Sequence, residues 1–85
     1  MITYAQNQKI GVHFDFRRAR LLATMSTKAA NLENKVGQLY LDENGVARFF
    51  TRFGTMHTKV ISAYRNDNRL SIRSLNSNWI FEIDV

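Results

Sequence analysis

The chain has no cysteine and no proline among its 85 residues, only four glycines and only two histidines. Without cysteine no disulfide can staple the fold, and no thiolate can hold a metal. A small domain that stands without disulfides suits a reducing compartment, so a cytoplasmic location is the expectation. A chain free of proline and poor in glycine is not a linker. No apolar run approaches the roughly 20 residues that a membrane-spanning helix needs, so no membrane partner is expected. The segment Met1 to Gln8 lacks the basic start and apolar run of a secretory signal. No GxGxxG or Walker-type loop occurs, and the glycines read as cap and turn residues.

What is present suits a folded domain. Hydrophobic residues make up 45% and charged residues 22%, too apolar a balance for a disordered chain. The length fits residues 1–85 as a single α+β domain with a thin core. Basic residues outnumber acidic ones by 12 to 7, and eight of the twelve are arginine. The excess is spread along the chain, with +3 on residues 1–42 and +2 on residues 43–85. A basic surface attracts polyanions, and arginine in particular pairs bidentately with phosphate and carboxylate.

Two regimes of periodicity follow one another. Lys9 to Phe16 reads as a strand, with Val12, Phe14 and Phe16 alternating against His13 and Asp15. Leu22, Met25, Ala29, Leu32 and Val36 then recur at spacings of three and four. That stripe predicts an amphipathic helix over residues 18–36, with Gly37 as its C-terminal cap. A second reading of the same letters stays open. Ser26 or Thr27 would cap a short helix, leaving Ala19, Leu21, Ala23 and Met25 as an alternating strand.

From residue 38 the signals are those of β structure. Asp42-Glu43-Asn44-Gly45 carries the Asn-Gly pair typical of hairpins. Phe53-Gly54-Thr55, Arg65-Asn66-Asp67-Asn68 and Asn76-Ser77-Asn78 mark further turns. Between them lie five antiparallel strands, 38–42, 46–53, 57–64, 69–75 and 79–84, forming a meander that is either a bent sheet or a small barrel. Leu39, Leu41, Phe49, Phe53, Val60, Leu70, Ile72, Trp79, Phe81 and Ile83 are the expected core, packed against the helix stripe.

The opposite face of that sheet carries the candidate site. Alternation turns Tyr40, Arg48, Phe50, Arg52, Arg69 and Arg73 outward, and Lys59 and Arg65 are placed there too. Cations for phosphates and aromatic faces for bases are what single-stranded nucleic acid requires. Alternation gives the face and not its exposure. The plainer reading is a solvated face whose aromatics are covered by the N-terminal strand or by a second copy of the chain. Arg17, Arg18 and Arg20 form a second basic cluster at the expected strand–helix junction. There the positive end of a helix dipole disfavours cations, which suggests a phosphate clamp or a later helix start.

Signals for chemistry are weak. His13, Asp15 and His57 are the candidates for a metal or acid–base site, with Glu82 or Tyr64 as a second acid–base partner for His57, and nothing in their spacing demands one. No catalytic residue, metal or cofactor is expected. The order of a helix followed by five strands is shared with Sm-like and other small barrels, but their glycine signatures are missing. The aromatic RNP motifs of RNA-recognition domains are missing too. In style the chain resembles small phage and mobile-element proteins.

The expectation is a small basic non-enzymatic module that binds RNA or DNA through an arginine-rich sheet face. The first alternative is an inhibitor or accessory protein that docks on an acidic protein surface or a nucleoprotein complex. The second is a small nuclease. A homodimer is expected as well, because the last strand of an open sheet would leave its far edge unpaired.

Overall fold

Hairpin chemistry decides most of the chain. The Asp42 carboxylate accepts hydrogen bonds from the backbone N–H of Asn44 (2.8 Å) and of Val46 (3.2 Å), and Gly45 takes the positive φ of 93° that follows. Such a side-chain-nucleated turn returns the chain beside itself. The computed structural model describes residues 12–75 and 77–85. Its elements are β1 (Phe14–Thr24), a 3-10 helix (Thr27–Leu32), β2 (Val36–Leu41), β3 (Val46–Thr51), β4 (Gly54–Asn66), β5 (Arg69–Ser74) and β6 (Asn78–Ile83). Neighbours in sequence pair antiparallel, and β6 pairs back onto β1, closing a six-stranded barrel.

The architecture is therefore nearly all β, and the expected α+β fold is corrected. The five strands read from the turn signals are present, but the helix over residues 18–36 is not. Among the described residues the only helix is the six-residue 3-10 turn. Residues 19–24 instead pair with β6. Ala19 and Leu21 are fully buried, whereas Met25, on the expected helix stripe, is 73% exposed. Helix propensity is a weak preference that tertiary context overrides. Here the context is a sheet with two edges, both of which this segment covers. Only Ala29 and Leu32 of the stripe are buried, one 3-10 turn apart. The part of the expected first strand before Val12 lies outside the described residues.

Closure also corrects the open edge from which a homodimer was expected. Trp79 to Glu82 have β5 on one side and β1 on the other.

Two long strands turn the corners. Residues 14–20 of β1 pair with β2 and residues 19–24 with β6. Residues 54–59 of β4 pair with β3 and residues 60–66 with β5, with a bulge between Val60 and Ser62. Strands that switch sheets through bends and bulges are how a small sheet closes on itself. Inside, Phe49 and Phe81 meet edge to face with ring centres 5.0 Å apart, among Leu21, Leu39, Leu41, Leu70, Ile72 and Ile83. Phe53 departs from the expected core. It sits at the β3–β4 turn, 56% exposed, with the Lys35 ammonium 4.9 Å from its ring centre.

Gly37 is a residue of β2 and not a helix cap. A methyl group there would stand 2.9 Å from the Phe50 carbonyl carbon, so close approach to β3 is what calls for glycine at this position.

Candidate nucleic-acid interface

β1 carries two phases of alternation, out of step by one residue. Phe14 is buried and pairs with Leu41, while Arg17 pairs with Leu39, so two residues of β1 oppose Tyr40 alone. This is a β-bulge, and Phe16 takes its positive φ of 56°. The bulge reverses the side of the strand on which Phe16 was expected. Its ring lies outside the barrel, 53% exposed, 5.3 Å from the Tyr40 ring and 5.9 Å from the Phe50 ring. The three rings form one tilted cluster on the outer surface of β1, β2 and β3. The sequence held the signal for it. Phe14 buries an even position and Ala19 and Leu21 bury odd ones, and such a phase change within one strand requires an extra residue.

Cations surround the cluster. Directly opposed residues on neighbouring strands lie about 4.5–5.5 Å apart at Cβ. Arg48 is opposed to Tyr40 on one side and to His57 on the other. Phe50 is opposed to Gln38, whose other neighbour is Arg18. Lys59 lies further along β4, opposed to Val46. Arg52 is exposed in the turn that follows β3. Among the described residues Arg48, Arg52 and Lys59 enter no ion pair. Among the described residues the ion pairs are Arg17–Asp84 and Arg20–Glu82. Acidic groups gather at one end of the face, where Asp15, Asp42 and Glu43 line a shallow depression with His13.

The remaining candidate residues fall elsewhere. Arg17 and Arg20 reach partners on and beyond β6, and the Arg18 Nε–H donates to the main-chain oxygen of Val85 at 2.7 Å. No strand–helix junction exists for these three to mark. Arg17 grips Asp84 with two bonds, Nε to Oδ1 at 2.7 Å and Nη2 to Oδ2 at 2.9 Å. That hydrogen bonding, with added attraction from Arg17 and Arg65, holds the Asp84 carboxyl below its ordinary pKa and raises that of Arg17. Lys59 and Arg65 do not share a face, because the bulge after Val60 lies between them. Arg65 is opposed to buried Leu70, and its guanidinium stands 5.3 Å from the Phe14 ring centre at the barrel mouth. Arg17 approaches the same ring at 5.7 Å. Arg69 and Arg73 point outward on β5, two strands round from β3. The single basic face expected from alternation is thus divided by curvature into two patches.

Among the described residues no group of three His, Asp or Glu side chains is close enough to hold a metal. His13 lies near Asp42, while His57 stands beside Arg48. No described helix is long and apolar enough to cross a membrane.

Fold and surface together define a class, a small closed antiparallel barrel with an aromatic and basic outer face. Comparison with protein families, with curated proteins and with solved structures found nothing that matches this chain.

Proposed function

We propose that this barrel is a non-enzymatic binding module for single-stranded nucleic acid, with Phe16, Tyr40 and Phe50 as its stacking platform. Arg48, Arg52 and Lys59 are the backbone contacts in this reading. The observation that carries it is Phe16. A bulky residue in the left-handed region costs of order 1–3 kcal/mol and persists only where the surroundings impose it. The bulge that imposes it exposes an aromatic ring that alternation would have buried. An exposed ring beside two others, with cations on the adjoining strands, offers a base a π face and its phosphates a charge. A cysteine-free chain of net charge +5 suits the reducing, nucleic-acid-rich interior of a cell.

The test is a titration of labelled single-stranded and double-stranded oligonucleotides at two salt concentrations. Single strands should bind more tightly than duplex. The Arg48→Ala, Arg52→Ala double variant should weaken binding and flatten the salt slope by about 0.7 per lost phosphate contact. Unchanged affinity in the folded double variant would remove these arginines from the site. No binding of either nucleic acid at low salt would turn attention to an acidic protein partner.

A further inference from the structure

The outer edge of β4 is used on one side only. The Asp42 N–H donates to the Val46 carbonyl at 3.0 Å, so the backbone groups of Val46 face β2. By alternation Ala47, Phe49 and Thr51 face β4, and their partners Thr58, Met56 and Gly54 face β3. Thr55 and His57 therefore turn their N–H and C=O groups away from β3. The β5 ladder starts only at Val60, and among the described residues no strand pairs with this upper edge.

Beside the edge opens a groove of about 650 Å³, walled by the 3-10 helix and, beyond β5, by Leu75 and Ser77. Met25 and Leu75, 73% and 82% exposed, line it together with the buried Trp79. Lys28, His57 and Lys59 line it, and among the described residues no acidic side chain does.

We infer that this groove takes an extended acidic peptide of another protein, added as a strand to the free edge of β4. Alternating N–H and C=O groups on a strand edge are complemented by another peptide backbone, and nucleic acid has no such array. Side chains of an added strand alternate between two sides. One set would enter the groove toward Met25, Leu75 and Trp79 and would be apolar. The other would run along the rim of the groove beside His57 and Lys59, where carboxylates are favoured. The surface is distinct from the Phe16 cluster, although His57 and Lys59 lie between the two.

The probe is a capped hexapeptide alternating valine and glutamate, followed by the emission of Trp79, the single tryptophan of the chain. Three controls accompany it: the valine–lysine analogue, the same peptide with alternate backbone nitrogens methylated, and an oligothymidylate. The valine–glutamate peptide should shift Trp79 emission saturably and slow amide exchange at Thr55 and His57. Both peptide controls should bind at least tenfold more weakly. Lys28→Glu should weaken the peptide about fivefold, whereas Phe16→Ala should leave it unchanged, which separates this site from the nucleic-acid reading. Three results would overturn the inference: no slowing at Thr55 and His57 at millimolar peptide, equal binding of the methylated peptide, or a Trp79 shift produced by oligothymidylate and not by peptide.

Discussion

Asp84 shows how single residues close this barrel. It follows β6, takes a positive φ of 64°, and donates its N–H to the Arg18 carbonyl at 2.8 Å while its carboxylate holds Arg17. Because the folded carboxyl has a lowered pKa, the unfolded chain binds that proton more readily. Its contribution is therefore complete above the ordinary carboxylate value near pH 4, and it is lost as pH falls through the lower folded value. Denaturant midpoints of the protein and of Asp84→Asn should differ at neutral pH and converge in acid. A difference that persisted undiminished to pH 2 would mean that charge is not what Asp84 supplies. The pair is exposed, so the effect should be small and sensitive to salt.

At the scale of elements, what was legible followed from local chemistry. The turns at Asp42–Gly45 and Asp67–Asn68 are encoded by residues that bond their own backbone or accept unusual dihedrals, so the strands between them could be read directly. The alternation of β3, β5 and β6 then turned Arg48, Phe50, Arg69 and Arg73 outward, as observed. β1 was not legible in the same way. Leu22, Ala29 and Leu32 have helical spacing, and the force that overrides it is a pair of strand edges that only the closed barrel presents. Bulges hid the rest, since one inserted residue reverses every orientation beyond it. Phe16 and Arg65 were each misplaced for that reason. The tight approach of β2 to β3 yields a separate expectation. Gly37→Ala should destabilise the fold by about 1–3 kcal/mol, the usual cost of overpacking. A midpoint shifted by less than the error of thermal or denaturant unfolding would mean that β3 yields freely there.

For the whole molecule, closure is the property from which the surface follows. An open sheet would have offered one flat basic face and a free last edge. The barrel curves that face into two patches and leaves β6 paired on both sides. Amides along Trp79 to Ile83 should therefore exchange among the slowest in the chain. Fast exchange there would mean that the β1–β6 seam is open in solution.

Titration with a short oligothymidylate, followed by amide and aromatic NMR shifts, would reveal whether the outer surface of β1 to β3 serves as the proposed nucleic-acid platform. Saturable shifts should centre on Phe16, Tyr40, Arg48 and Phe50 and be largely abolished by Phe16→Ala in a variant that keeps its fold. Shifts confined to Arg69 and Arg73 on β5, or none at all at low salt, would contradict that role.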